Sequence, residues 1–210
     1  MKKIMFNDKY GLTRAVLDGR KTQTRRIIDI DEDKLIMFQT NYYNMTLDFL
    51  EGKDLIEAYF VNNPKKIPYK KGEIVAIAQS YKDAGYKCYA YRDTDEFLYF
   101  MKDGEDVAIP PIAETNKMYV KPIYMPHQIK IADVRIQLLE DISDEDCLKE
   151  GIWKAEDVGF EGETYWYAYL ANSQFRTPRE AYTSLIDKVS GKGTWERNPH
   201  VFVYDFELVK

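Results

Sequence analysis

Residues 127–142, HQIKIADVRIQLLEDI, carry the pattern that decides the fold of this chain. Apolar residues alternate with polar ones from Ile129, and the alternation resumes one position out of phase from Val134. A period of two is typical of a β-strand with one buried face, and a change of phase near Asp133 indicates a bulge or bend. We therefore expect one long, bent strand of the kind that crosses a small β-barrel.

Further strands and short helices are predicted on both sides of this segment. Apolar or alternating runs predict strands at 73–81 (EIVAIAQSY), 86–93 (YKCYAYRD) and 200–209 (HVFVYDFELV). Apolar spacing and capping residues predict helices at 11–19, 143–151 and 177–191. The last helix has the strongest signals, because Thr177 suits the N-cap and Pro178 the first helical position.

Two intervals, at about 29–71 and 94–125, interrupt this pattern and are interpreted as insertions. The first is polar, aromatic and irregular, and the second combines a charged, hairpin-like piece with a proline-rich turn. The sequence contains no internal repeat and no linker able to separate two cores. We expect an α+β fold: a single domain over residues 1–210, with a small mixed β-barrel flanked by short helices.

The composition limits the possible functions. The net charge of −5 argues against nonspecific binding to duplex nucleic acid, which needs many basic residues. Two histidines are too few for an easily assembled histidine metal site or Ser-His-Asp triad, and the two cysteines show no CxxC pattern. We therefore expect no metal, no cofactor and reduced, structural cysteines. The opening residues fit neither a signal peptide nor a membrane span, so we expect a cytoplasmic protein without a membrane partner.

Positive charge is nevertheless concentrated in GRKTQTRR, residues 19–26. With Arg14, this stretch places five basic residues within thirteen positions, opposed there only by Asp18. The stretch follows the predicted helix at 11–19, whose end suits a glycine in the left-handed conformation. Such a cluster is either a solvated surface turn or a local site for phosphates.

Four segments in order resemble the ASCH domain, a PUA-like β-barrel family associated with RNA, and the longer phage and prophage members in particular. They are LDGRKTQTRR (17–26), KKGEIVAIAQSY (70–81), ADVRIQLLEDISDEDCLKEGI (132–152) and GKGTWERNPHVFVYDFELV (191–209). One position departs from the pattern. Longer members often carry a glutamate in the second segment, two residues before an aromatic residue, where this chain has Gln79 ahead of Tyr81. Gln79 cannot act as a base.

Some small members of the family are amidohydrolases that remove the acetyl group of N4-acetylcytidine. The resemblance implies that their catalytic lysine, threonine and glutamate correspond to Lys21, Thr24 and Glu150, although Glu145 and Asp146 lie on the same short predicted helix. Thr24 would be the nucleophile and Lys21 its base, which requires the lysine pKa to fall from about 10.4. Neighbouring arginines and burial lower such a pKa, whereas an ionised Glu150 raises it.

The same resemblance and the local charge suggest a set of ligand contacts: Arg20, Thr22, Arg25, Arg26, Gln79, Tyr81, Trp195 and Asn198. Trp195 either stacks on a base or plugs the end of the barrel. We expect Lys21, Thr24 and Glu150 to meet in one cleft at the barrel mouth, where a nucleoside or single-stranded RNA would bind. Two alternatives are a non-catalytic RNA-binding module, in which Lys21 and Thr24 grip a phosphate, and a phage accessory protein that binds a protein partner. The sequence does not predict an oligomeric state.

Overall fold

The computed structural model describes residues 1–88, 98–102, 104–109, 111–154, 166–167 and 174–209. The chain forms two compact units. Unit 1 comprises Met1–Gly19, Ile74–Lys130 and Glu207–Lys210, and unit 2 comprises Arg20–Glu73 and Ile131–Phe206. The single-domain organisation and the two insertions stay predictions.

The described strands form one larger and two small sheets. They are β1 (Lys2–Ile4), β2 (Gln23–Ile27), β3 (Ile74–Ile77), β4 (Lys87–Cys88), β5 (Leu98–Lys102), β6 (Glu105–Ile109), β7 (Gln128–Leu138), β8 (Trp153–Lys154), β9 (Trp166–Tyr167), β10 (Gln174–Phe175) and β11 (His200–Leu208). The larger sheet has the order β1-β3-β7-β11-β2, and the small sheets have the orders β4-β5-β6 and β10-β9-β8.

The larger sheet is mixed, as predicted, but it is not a closed barrel. Strand β1 runs parallel to β3, whereas β3 and β7 pair antiparallel, as do β11 and β2. In the described part of the chain, no ladder joins β1 to β2, so these two strands are the edges of an open sheet. With only three residues, β1 offers little backbone for a second ladder. The α+β class is therefore confirmed, and the predicted barrel closure is not seen.

Six helices are described: α1 (Leu12–Leu17), α2 (Glu32–Thr46), α3 (Gly52–Asn62), α4 (Asp144–Lys149), α5 (Pro178–Ser190) and α6 (Thr194–Arg197). The predictions at 11–19, 143–151 and 177–191 are confirmed by α1, α4 and α5. The side chain of Thr177 caps α5 by accepting a hydrogen bond from the Glu180 N–H at 3.1 Å. Gly19, with φ of 73°, adopts the left-handed conformation expected after α1. None of the described helices combines the length and the apolar character needed to cross a membrane.

The long strand β7 confirms the prediction for residues 127–142. Its buried residues alternate at Ile129 and Ile131, and the next buried residue is Ile136, on the other phase of the alternation. This is the phase change that the sequence pattern indicated near Asp133. In unit 1, the first residues of β7 pair with β3, and in unit 2 the Ile131 N–H donates to the Glu73 carbonyl at 2.9 Å.

The interval at 29–71 is not irregular, as the sequence suggested, because it contains α2 and α3. Helix α2 buries only Gln39, so it lacks the apolar stripe by which helices are recognised in a sequence. Helix α3 buries Ile56, Tyr59 and Phe60, and the Phe60 ring lies 4.7 Å from that of Phe202 on β11. In the interval at 94–125, β5 and β6 form the predicted hairpin. Residues 89–97, 103 and 110, where parts of the second predicted strand and of this interval fall, lie outside the described residues.

Candidate functional site

The basic loop is held beside the end of α4 by backbone hydrogen bonds within unit 2. The Thr22 N–H donates to the Lys149 carbonyl at 2.9 Å, and the Thr22 carbonyl accepts from the Phe206 N–H at 2.8 Å. Glu150 is the C-cap residue of α4, whose N-terminus is capped by Ser143. These backbone contacts bring Lys21 and Glu150, which are 129 positions apart in the chain, into direct contact.

Lys21 and Glu150 form a buried ion pair. The Lys21 Nζ lies 2.5 Å from Glu150 Oε2 and also donates to the Glu150 carbonyl oxygen at 2.8 Å. The two residues are 2% and 4% exposed. Burial lowers the pKa of Lys21, and this effect outweighs the opposing attraction of the Glu150 carboxylate; the positive charges of Arg26 and Arg25 lower it further. Lys21, which the resemblance implies as the base, therefore has an amine of reduced basicity.

Arg25 is the second cation on Glu150. Its Nη1 lies 3.1 Å from Glu150 Oε1, and its Nη2 lies 2.9 Å from Asp146 Oδ2. The guanidinium also lies 6.0 Å from the ring centre of Tyr182 on α5. Because its side chain is fully buried among these partners, the structure places Arg25 as an internal partner of the site and not on the surface where phosphates would bind.

The network continues along the sheet through residues that the sequence analysis did not single out. Arg135 on β7 contacts Asp146 at 3.0 Å and is also ion-paired with Asp205 on β11. Asp205 accepts a hydrogen bond from Gln23 Nε2 at 2.6 Å. A signal was present, because Arg135 and Asp205 are charged residues that are only partly exposed, within strands that also bury apolar residues. A charge in a half-buried strand needs a partner, and the sequence does not show which one.

Thr24 does not join the Lys21–Glu150 pair in this structure. It lies on β2 directly opposite Tyr204 of β11. Successive residues of a strand point to opposite faces, so Thr24 and Arg26 lie on the face opposite to Gln23 and Arg25. In the part of the chain that the structure describes, no hydrogen bond links the Thr24 hydroxyl to Lys21 or Glu150. The structure thus brings Lys21 and Glu150 together. It places Thr24 on the face of β2 opposite to Arg25.

The remaining predicted ligand contacts of unit 2 occupy different environments. Arg20 is exposed, and Thr22 and Arg26 are half-buried. The half-buried Trp195 packs edge-on against the Tyr182 ring at 6.2 Å. Asn198 shapes the turn before β11, since its side chain accepts a hydrogen bond from the Glu140 N–H at 2.8 Å.

Gln79 and Tyr81 belong to unit 1, whereas Lys21 and Glu150 belong to unit 2. The Gln79 Oε1 lies 2.6 Å from His127 Nδ1. Tyr81 is fully buried, and its hydroxyl accepts a hydrogen bond from the Lys121 N–H at 3.2 Å. Both residues therefore have structural partners within unit 1.

The chemistry of the site is that of paired charges. No group of three or more histidine, cysteine, aspartate or glutamate residues in the described ranges is arranged to hold a metal ion. Cys147 on α4 is a free, buried thiol, and burial raises its pKa to about 12. Its thiolate is therefore not formed near neutral pH, and Cys147 does not supply a nucleophile.

Comparison of the whole chain with models of known protein families, with curated proteins and with solved structures finds no match.

Proposed function

We propose that this protein recognises a nucleoside or a single-stranded RNA element in the cytoplasm and hydrolyses the amide of an N4-acylated cytidine. The observation that supports this proposal is the buried Lys21, whose pKa is lowered while Glu150 holds its amine. A lysine that loses its proton more easily than usual is a suitable general base near neutral pH. The 17–26 loop resembles that of the ASCH family, and this resemblance implies both a PUA-like fold and the same reaction.

The proposed reaction has two steps. In the first, the Thr24 hydroxyl oxygen attacks the acyl carbon while the Lys21 amine accepts the hydroxyl proton. The amide C–N bond then breaks, the Lys21 ammonium returns the proton to the leaving N4, and cytidine leaves with its amino group restored. In the second step, water attacks the ester on Thr24, which releases the carboxylic acid and regenerates the hydroxyl.

This reaction requires the Lys21 amine to approach the Thr24 hydroxyl when the substrate binds. In the observed state the amine is bound to Glu150, and catalytic hydrogen bonds in enzymes without substrate are often incomplete. Glu150 then has two tasks: it keeps the amine in place before reaction and stabilises the ammonium that forms on proton transfer.

A second candidate function, a non-catalytic RNA-binding module, is favoured by one specific observation. The two oxygens of Glu150 bridge Lys21 and Arg25, and such a bridge would also fix the shape of a loop that only binds. On this alternative the exposed Arg20 contacts phosphate, and Thr24 has no chemical role.

The two candidates differ in what four substitutions do to N4-acetylcytidine turnover, measured by chromatographic separation of cytidine from the substrate. Lys21→Ala should lower kcat by at least about a hundredfold through loss of the general base. Thr24→Ala should be similarly severe, whereas Thr24→Ser should retain measurable turnover because it keeps a hydroxyl. Glu150→Gln should lower kcat while leaving nucleoside binding within a few-fold.

Thr40→Ala is the matched control, because Thr40 is an exposed residue of α2 whose hydroxyl donates to the Ile36 carbonyl of the same helix at 2.9 Å. It should leave turnover near that of the natural chain. Equal and modest losses in all variants that track weaker binding, or saturable RNA binding without turnover, would contradict the hydrolase and favour the binding module.

A further inference from the structure

A cleft of about 570 Å³ lies over the polar face of α5, within unit 2. The residues of that face which line the cleft are spaced three and four positions apart and therefore share one side of the helix: Glu180, Thr183, Ser184 and Asp187. The other side of α5 carries its buried residues, among them Tyr182 and Leu185. The volume of the cleft is within the range of small-molecule sites.

Two aromatic side chains also line the cleft. They are Phe175 of β10 and Trp195 of α6, and both are half-buried. Trp195 is held from two sides. Its backbone N–H donates to Asp187 Oδ1 at 2.9 Å, and its ring packs edge-on against Tyr182 at 6.2 Å. An aromatic side chain that is already held in place offers a stacking surface for a flat base, and little side-chain entropy is lost on binding.

The carboxylate of Asp187 is an acceptor in this cleft. Its two oxygens accept hydrogen bonds from the backbone N–H groups of Trp195 at 2.9 Å and Gly193 at 3.0 Å. These bonds lower the pKa of Asp187, so the carboxylate is ionised at neutral pH. An ionised carboxylate has about four acceptor positions, so the two backbone bonds leave others for a ligand that donates.

Ser184 adds a hydroxyl to the same lining. The residue is half-buried, and no described residue forms a hydrogen bond with its hydroxyl. The neighbouring Thr183 differs, because its hydroxyl donates to the Arg179 carbonyl at 2.9 Å. A serine hydroxyl both donates and accepts, and it therefore suits the edge of a heterocycle that carries both kinds of group.

The stretch that forms the cleft is basic, in a chain whose net charge is −5. Residues 174–198 contain five lysines and arginines and three acidic residues. Arg179 donates to the carbonyls of Glu140 and Ile142, whereas the exposed Arg176 and Lys188 have no carboxylate partner among the described residues. This surplus of positive charge argues against a cationic ligand and favours one that carries phosphate.

We propose that this cleft binds a nucleotide whose base carries an amino group. The base stacks on Trp195, the amino group donates to the Asp187 carboxylate, and the phosphate lies among the exposed basic residues. Cytosine presents such an amino group, whereas uracil presents a carbonyl oxygen at the same place, which would face the carboxylate as a second acceptor.

This inference goes beyond the proposed function, because it assigns a second site and needs no hydrolysis. The two sites lie on different sides of α5. Tyr182, on the buried side, lies beside Arg25, the partner of Glu150, whereas the cleft lies over the polar side. The ligand is either a free nucleotide or one nucleotide of an RNA strand, since both present the same base and phosphate.

The test compares cytidine monophosphate with uridine monophosphate, by calorimetry and by quenching of tryptophan fluorescence at neutral pH. The cytidine nucleotide should bind at least about tenfold more tightly, because the uridine nucleotide lacks the hydrogen bond to the charged acceptor. Trp195→Leu should weaken its binding about tenfold through loss of stacking, and Trp195→Phe should weaken it less because a ring remains.

Ser184→Ala is the variant that leaves the fold intact, because the hydroxyl has no described partner to lose. It should weaken binding of cytidine monophosphate about fivefold without lowering the thermal midpoint. Ser190→Ala, at the end of the same helix, and Trp153→Leu, on β8, are the matched controls, since neither residue lines the cleft. Both should leave the affinity within about twofold.

A six-residue oligocytidine distinguishes the two sources of the ligand. If the source is an RNA strand, it should bind at least about tenfold more tightly than the monophosphate, and Arg176→Ala should reduce the salt dependence of its binding. If the source is a free nucleotide, the two affinities should be similar. Either result supports the cleft as the site, provided that Ser184→Ala weakens the binding.

The remaining outcomes separate this inference from the proposed function. Equal affinity for the two monophosphates overturns the inference, and so does binding that neither Ser184→Ala nor Trp195→Leu weakens. Turnover of N4-acetylcytidine by a chain in which the cleft binds no nucleotide leaves the hydrolase standing and overturns the inference. Binding that depends on Ser184, without turnover, supports the inference and overturns the hydrolase.

Discussion

Replacement of Glu150 by glutamine tests the buried ion pair most directly. The substitution keeps the shape of the side chain but removes the charge that lies between Lys21 Nζ at 2.5 Å and Arg25 Nη1 at 3.1 Å. Breaking a buried pair by removing one partner typically costs about 3–5 kcal/mol, because the other charge stays buried. Arg25 keeps Asp146 as a partner, so Lys21 is the cation that loses the one carboxylate paired with it among the described residues.

Lys21 can respond to the substitution by releasing its proton. The free energy of that release sets an upper limit on how much Lys21 contributes to the loss of stability. Its pKa in the unfolded chain is near 10.5, so holding it neutral in the folded protein costs about 1.4 kcal/mol for each pH unit below that value. The limit is about 5 kcal/mol at pH 7 and about 1.4 kcal/mol at pH 9.5. The natural chain already bears part of this cost, because burial lowers the pKa of Lys21 there as well.

The sign of the pH dependence follows from which state binds the proton. Below 10.5 the unfolded variant carries a proton on Lys21 that the folded variant has lost, so the stability of the variant rises with pH. We therefore expect Glu150→Gln to lower the free energy of unfolding by about 3–5 kcal/mol at pH 7 and by about 1–2 kcal/mol at pH 9.5.

Urea-induced unfolding, followed by tryptophan fluorescence at the two pH values, measures these differences. Other groups that release a proton on unfolding in this range, such as Cys147, are the same in both proteins, so their effects cancel in the comparison. Glu145→Gln is the matched control, since Glu145 is an exposed residue of the same helix, α4. A loss below about 1 kcal/mol for Glu150→Gln, or an equal loss at both pH values, would refute the reasoning.

Three further predictions concern separate parts of the chain. Arg25→Ala should lower the free energy of unfolding by about 3–5 kcal/mol, whereas the exposed Arg20→Ala should change it by less than about 0.5 kcal/mol. If the loop binds RNA, only Arg20→Ala should reduce the salt dependence of binding without unfolding the protein. The slope of log affinity against log salt concentration should fall by about one unit. An unchanged slope means that Arg20 contacts no phosphate. Phe60→Ala should cost about 3–5 kcal/mol in urea unfolding through its contact with Phe202, and a loss below about 1 kcal/mol would show that α3 is not firmly packed on β11. With the other cysteine replaced by serine, Cys147 should react with a thiol reagent at pH 8 only as fast as the protein unfolds, because its pKa is raised to about 12; rapid reaction of the folded protein would contradict this burial.

Local signals in the sequence were sufficient for much of the secondary structure. Helix α5 has a capping residue, a proline and a buried stripe, and β7 has a clear alternation, so both could be predicted from neighbouring residues alone. Helix α2 could not, because it buries only Gln39 and its tyrosines and asparagines fit a loop equally well. Barrel closure depends on whether edge strands meet, which is a long-range property that no local pattern contains.

The candidate site was predictable only in part for the same reason. Lys21 and Glu150 were paired through a family resemblance, and the structure places them in contact. The partners Asp146, Arg135 and Asp205 were missed, because the sequence shows that a buried charge needs a partner and not which partner it finds. Strand alternation in β2 places Thr24 on the face opposite to Arg25, the residue of this strand that contacts Glu150, and a loop read as a single motif does not reveal that alternation.

The pairing of β2 with β11 has a consequence for the order in which the protein can be made. Gln23 and Asp205 are 182 positions apart, so β2 leaves the ribosome long before its partner has been synthesised. At about 5–20 residues per second, the delay is about 9–36 seconds. During that interval β2, which carries Thr24, Arg25 and Arg26, cannot form its backbone hydrogen bonds with β11. The Gln23–Asp205 contact cannot form either. Unit 2 should therefore acquire its native order late, and the nascent chain should present its basic segment to chaperones, or to the nearby ribosomal RNA, before the site exists.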